Sequence, residues 1–229
     1  MRKKDVWYDE GKEEERRYPD FIRESRAAYK VSANPVLGQM LLKKQGEYTI
    51  EDYYALPDQC RVELIDGVIY NMAAPNYFHQ VITFQMALQL DAWIKKKKGT
   101  CMVIISPADV QLDKDDKTMV QPDLFVVCSR EKIRKQVLYG EPDFVAEVLS
   151  PANTWKEQML KYQKYKDAGV REYWVVNPQK ERVMVYDFAH GKEKEEWTFD
   201  DEIPVNIFDR EMKIDFADVS KALKFLSEE

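Results

Sequence analysis

An α/β fold, a central mixed β-sheet flanked by helices, is predicted by three observations. The runs QPDLFVV (121–127) and EPDFVAEVLS (141–150) read as strands apolar on both faces. TWKEQMLKYQKYKDAGV (154–170) has helical spacing between a start and a stop signal. REYWVV (171–176) follows at once as another strand, and a right-handed crossover makes the strands on either side of that helix parallel. Carboxylates stand in both apolar runs, where packing alone does not put them. That anomaly carries the functional argument.

Phe144, Val145, Ala146, Val148 and Leu149 surround Glu147 with apolar side chains. Burying an unpaired ionised carboxylate costs several kcal/mol, roughly, so Glu147 needs a metal, a cation or a proton. Asp123 has the same need at a strand start, after Pro122. Two acids on neighbouring strands, with a lysine nearby, make a divalent-cation site, because hard cations prefer oxygen ligands. Asp143 shares a face with Glu147 but lies about 13 Å away along the strand, too far for one small metal to bridge. Asp123 is therefore the partner, since sequential strands usually neighbour each other.

The lysine comes from the helix that follows. Thr154 and Glu157 form a capping box and Gly169 a stop. Lys161, Tyr165 and Ala168 share one face, so Lys161 belongs to a partly apolar stripe, and its long stem can carry the ammonium back to the acids. Lys156, Lys164 and Lys166 read as solvated.

These residues, taken with RVELIDGVIYNMAAPNYFHQ before them, resemble the Uma-type family of restriction endonuclease-like proteins, within the PD-(D/E)XK nuclease superfamily. The resemblance runs from roughly Tyr48 to Phe188 and rests on several motifs in order. It implies a restriction endonuclease-like core and a metal-dependent endonuclease. Mg²⁺ or Mn²⁺ would be held by Asp123 and Glu147, with Glu63 and His79 as further contributors and DNA as the nucleic-acid partner. The superfamily's lysine two residues after the acid is Leu149 here, and its role passes to Lys161. Nothing in the residues separates DNA from RNA. The alternative is a non-catalytic interaction module that keeps the nuclease fold, favoured by Leu149 and by the acidic total.

Pattern alone leaves Glu63 and His79 open. RVELIDGVIYNM is a hairpin about Asp66-Gly67, with Glu63 on its first strand, either in the site or paired with Arg61 at the surface. Tyr77 to Lys98 is the longest helix, and His79 stands one turn ahead of the stripe Ile82, Met86, Leu90, Trp93. A lone histidine there is more often structural; the resemblance sets it near the acids. Lys95 to Lys98 complement the helix dipole as a solvated end. CMVIISPADVQL (101–112) reads as one strand with Pro107 at a bulge or edge and Asp109 as reserve acid. The Asp113 to Lys117 cluster is a solvated turn, and Tyr173 and Trp174 are packing residues.

With 229 residues the chain suits one domain with appendages. The expected organisation is a charged helical extension over 1–46, a nuclease-like domain over 47–190, and a C-terminal strand and helix over 191–229 docking on the core. In the extension a short helix starts at Asp20 and a turn follows at Asn34-Pro35; the segment packs on the core, mediates homodimerisation or stays mobile. A cytoplasmic location is expected, with no membrane contact: no apolar run reaches the roughly 18 residues of a span, and no signal-peptide core begins the chain. Cys60, Cys101 and Cys128 are widely spaced and expected to be buried free thiols. A net charge of -6 weighs against a broadly basic nucleic-acid surface and leaves room for a local one. With only 8 glycines there is no phosphate-binding loop or dinucleotide fingerprint, which removes nucleotide-dependent enzymes.

Overall fold

The computed structural model describes residues 41–57, 59–72, 75–151, 153–192 and 194–227; the expected Asp20 helix and Asn34-Pro35 turn lie outside them. The first half runs α1 (Ile50–Tyr54), β1 (Val62–Ile65), β2 (Val68–Asn71), α2 (Tyr77–Lys96), β3 (Met102–Ile105), β4 (Val110–Gln111), β5 (Leu124–Val127), β6 (Ile133–Arg134) and β7 (Val137–Tyr139). After it come β8 (Phe144–Val148), α3 (Trp155–Ala168), β9 (Glu172–Asn177), β10 (Arg182–Asp187), β11 (Glu195–Thr198), β12 (Glu202–Pro204), β13 (Lys213–Asp215) and α4 (Phe216–Ser227).

Six strands form the central sheet in the order β11-β10-β9-β8-β5-β3. Within this sheet only β8 and β9 pair in parallel, as the α3 crossover between them requires, and the sheet is mixed. Alternation along β8 sorts its side chains. Phe144, Ala146 and Val148 join Leu124, Val126 and the α2 residues Ile82, Met86, Leu90 and Ile94 in one core layer. Val145 and Leu149 join Phe125, Val127 and the α3 residues Leu160 and Tyr165 in the other. Glu147, at period two from Val145, faces α3.

Local signals explain the elements around it. Thr154 and Glu157 make both bonds of the capping box on α3, and Gly169 ends the helix at φ +91°. At the β1–β2 turn Asp66 and Gly67 sit at φ +50° and +73°, the left-handed pair that a two-residue hairpin uses. From the C-terminal segment, Phe216 and Val219 of α4 pack into the α2 layer. Tyr173 and Trp174 are buried.

Three expectations are corrected. CMVIISPADVQL is not one strand: it ends as β3 at the sheet edge, passes a cis Ser106-Pro107 bond, and resumes as β4 in a separate sheet with β7 and β6. Pro107 has no N–H to continue the ladder. Cys101 and Cys128 are not free thiols but a disulfide, leaving Cys60 free; the register Met102↔Val127 brings the residues just beyond that pair, 101 and 128, face to face.

Lys164 is not solvated. Only 5% exposed, its ammonium bonds Asp66 at the hairpin turn, at 2.9 Å, and Asp113 from the loop before β5. It lies one turn beyond Lys161 on the same face, so the surface that reaches the acids also meets the hairpin. Burial disfavours the charged amine, but the two aspartates outweigh it and hold the ammonium above the usual lysine range. Lys164→Met should therefore destabilise the protein by about 3 kcal/mol, the low end for a broken buried pair because each aspartate keeps some exposure. That is a fall of roughly 6–12 °C in Tm, read by thermal denaturation; an unchanged Tm would contradict the staple.

Candidate active site

The strand register builds the acid pair. Leu124 stands opposite Ala146, and one step further along the same antiparallel ladder Asp123 stands opposite Glu147. Such opposition of like charges is unfavourable. Asp123 is held in place by two groups: the Val148 N–H donates to its Oδ2 at 2.8 Å, and His79 Nε2 lies 2.9 Å from the same oxygen. His79 Nδ1 is buried without a partner among the described residues.

Glu147 is held from α3. Lys161 Nζ donates to its Oε1 at 2.9 Å and the Tyr165 hydroxyl donates to the same atom at 2.6 Å. Lys161 also reaches Glu63 Oε1 on β1, at 3.1 Å, and that oxygen takes the Gln121 backbone N–H at 2.9 Å. Two carboxylates thus share one ammonium, and the charge of Asp123 acts on it from further off. Burial pushes the Glu147 carboxyl up to about 8, against the pull of Lys161, and the charges of Asp123 and Glu63 add to the rise. The same surroundings act oppositely on Lys161: burial disfavours its charge, but the carboxylates prevail and hold it well above the usual lysine range. The Tyr165 phenol, buried beside Glu147, is likewise pushed well above its ordinary value and stays a donor.

All five expected site residues, Glu63, His79, Asp123, Glu147 and Lys161, line one cavity of about 300 Å³. It opens at the carboxyl end of β8, the end at which parallel crossover units commonly bind ligands. Asp143 lies elsewhere, accepting from the Cys128 N–H and facing Arg171. Asp109, the reserve acid, is committed to Tyr53, Tyr54 and Gln121 and does not line the cavity. Two residues of the network were not anticipated. Tyr165 reads from sequence as an apolar stripe residue, although its spacing of four from Lys161 was a usable signal; Gln121 acts through its backbone, which no side-chain pattern reveals.

The donor set can be tested against the metal that such acids suggest. No group of three or more His, Cys, Asp or Glu side chains forms a ready metal shell among the described residues. Two carboxylates are nevertheless what Mg²⁺ commonly takes from a protein, with waters and substrate phosphate completing its octahedron. One oxygen of each, Asp123 Oδ1 and Glu147 Oε2, accepts no hydrogen bond from the described residues, and both acids line the cavity. Burial raises Glu147 first and the neighbouring acids add to it, and that surplus of negative charge is what a hard cation would relieve. The residues fit such an ion, with Asp123 and Glu147 as its holders.

Among known proteins, the family model "Uma2: Putative restriction endonuclease" matches residues 50–217, a span that contains every residue of this network. No curated protein matches. The crystal structure of "a putative nuclease belonging to DUF820" from Anabaena variabilis ATCC 29413 is similar at TM-score 0.64 and 20% identity. The match covers 75% of this chain and 96% of that one. At that identity the likeness is one of fold. No helix of the described residues is long and apolar enough to cross a membrane.

Proposed function

The chain belongs to the Uma2 family of restriction endonuclease-like proteins, and on that footing we propose that it is a Mg²⁺-dependent endonuclease that hydrolyses phosphodiester bonds in DNA. One observation carries the reading: two strand carboxylates stand opposite each other in a cavity, with a helix-borne ammonium that bridges one of them, Glu147, to a third acid, Glu63. Asp123 and Glu147 would hold the ion, which when bound supplies Lewis-acid polarisation of the phosphate and a more acidic water. Lys161 donates to phosphate oxygens as negative charge develops on them. Glu63 keeps that ammonium charged and aimed, and His79 pins one oxygen of Asp123 so that the other faces the cavity. Tyr165 does the same for Glu147. Its loss in Tyr165→Phe should lower the cleavage rate about tenfold, the small end of what partners of metal-holding residues contribute; an unchanged rate would remove Tyr165 from the machinery.

Nicking of supercoiled plasmid by purified protein in Mg²⁺ or Mn²⁺ tests the proposal, with Glu147→Ala and Lys161→Ala alongside. Wild type should cut, both variants should fail, and chelation by EDTA should abolish cutting. A second reading, the non-catalytic interaction module, draws on the pairing of Lys161 with both Glu63 and Glu147, which partly satisfies those acids without metal. Calorimetric titration with Mg²⁺ separates the two, because the module takes up none.

A further inference from the structure

The β1–β2 hairpin uses both of its faces. Val62, Leu64 and Ile69 pack on one side with Tyr48 and Tyr53. By strand alternation Glu63, Ile65 and Tyr70 face the other way, and all three line the cavity. The ladder runs one residue past β1, because the Met72 N–H donates to the Arg61 carbonyl at 2.9 Å. Alternation therefore stays in step. Arg61, at period two from Glu63, and Met72 opposite it complete the same face and line the same cavity.

Helix α3 runs alongside this face, and two ion pairs give the alignment. Lys164 meets Asp66 at the hairpin turn at 2.9 Å, and Lys161, one turn earlier on the helix, meets Glu63 at 3.1 Å. A further turn toward the start of α3 brings Glu157 and Gln158, which also line the cavity. The outward step along the hairpin that matches it, from Glu63, ends at Arg61, about 7 Å away. Glu63 is 4% exposed, whereas Arg61 is only partly buried. The acids and Lys161 thus lie at the floor, and Arg61 stands nearer the mouth.

Among the described residues two Lys or Arg side chains line the cavity, Arg61 and Lys161. Lys161 is bound to Glu63 and Glu147. At the level of Arg61, Glu157 spends one oxygen on the helix cap, accepting from the Thr154 N–H at 2.7 Å. A guanidinium offers several N–H donors in one plane and matches a pair of phosphate oxygens at once, a capacity that a single protein partner does not exhaust.

We propose that Arg61 is a phosphate-binding residue. Its guanidinium grips the backbone phosphate beside the one that Lys161 meets, so that the substrate strand is held at two successive phosphates along the hairpin. The step from Glu63 to Arg61 is comparable with the step between neighbouring phosphates of one strand. That the ligand is a nucleic acid rests on the nuclease reading above.

Fluorescence anisotropy of a labelled duplex DNA oligonucleotide, on the full chain in fixed Ca²⁺ at several KCl concentrations, tests it. Each neutralised phosphate contributes about 0.9 to the slope of log affinity against log salt. Arg61→Gln should lower that slope by about 0.9 and weaken binding on the order of 10- to 100-fold. Arg61→Lys keeps the charge and loses the fork, so it should keep the slope and recover only part of the affinity. Calorimetric Mn²⁺ binding should be no weaker in Arg61→Gln than in wild type, because Arg61 does not hold the ion. An unchanged slope in Arg61→Gln overturns the proposal, as does a wild type that binds no DNA. Joint loss of DNA and Mn²⁺ binding makes Arg61 a support of the acid site and overturns it too. If the slope falls as expected and wild type cuts nothing in Mg²⁺, the nuclease reading fails and the role of Arg61 stands. If wild type cuts and Arg61→Gln binds and cuts equally well, the nuclease reading stands and the role of Arg61 fails.

Discussion

Glu147→Gln is expected to lower Mg²⁺-dependent cleavage by about a thousandfold or more while leaving Tm within a few degrees of wild type. The size follows from what is removed. A Lewis acid at a phosphoryl oxygen contributes several kcal/mol to the transition state, and each ~1.4 kcal/mol is a factor of ten. Stability should hold because glutamine keeps an oxygen that can accept from Lys161 and Tyr165, as Glu147 Oε1 does. It also relieves the cross-strand opposition with Asp123, worth up to about 1 kcal/mol, or roughly 2–4 °C in a domain of this size. Plasmid nicking and a thermal melt on the same preparation check both halves. Cleavage that survives the substitution removes Glu147 from the chemistry; a collapsed melt means that the carboxylate is structural.

Lys161→Met should act on two quantities at once. Methionine keeps the apolar stem and deletes the ammonium, so a donor to developing phosphate charge is lost, costing about 10²–10³-fold in cleavage rate. Glu63 and Glu147 are then left facing each other without their cation, a broken buried pair that costs about 3 kcal/mol and lowers Tm by roughly 6–12 °C. The two effects can be told apart with metal. An ion that binds only the folded state stabilises it by mass action, and in the variant it would also take over the charge that Lys161 balanced. Addition of Mn²⁺ should accordingly raise the Tm of Lys161→Met by more than that of wild type. Equal shifts would mean that Lys161 and the ion do not share carboxylates, and would favour the interaction module.

The lysine argument was legible before the fold because two local rules converge on it. A carboxylate in a strand apolar on both faces demands a counter-charge, and the capped helix that follows at once offers few candidates, of which Lys161 alone combined reach with a partly apolar stripe. The same rules misplaced Lys164. It shares the helical face of Lys161, but its partners Asp66 and Asp113 come from a hairpin turn and a loop distant in sequence. Read alone, each of those aspartates was an ordinary turn residue. Tyr165 was hidden differently, as an aromatic whose ring satisfies the core while its hydroxyl serves the site. The Cys101–Cys128 disulfide depended on the register between β3 and β5; widely spaced cysteines carry no trace of it.

By itself the sequence determined the strand–helix–strand unit from β8 through α3 to β9, the mixed sheet with its crossover, the caps of α3, the Asp66-Gly67 hairpin and the presence of acids that packing does not explain. These rest on interactions within a few residues, periods of 2 and 3.6, left-handed turn positions and the cost of burying charge, all of which can be read along the chain. Only the tertiary structure decided which faces meet. It set Asp123 opposite Glu147 by one step of ladder register, brought Glu63 from a separate hairpin onto the ammonium of Lys161, turned Lys164 inward and opened the cavity with Arg61 on its wall. Those contacts join residues up to 98 positions apart, and their geometry follows from how sheet and helices pack, a property of the assembled layers that no single stretch contains.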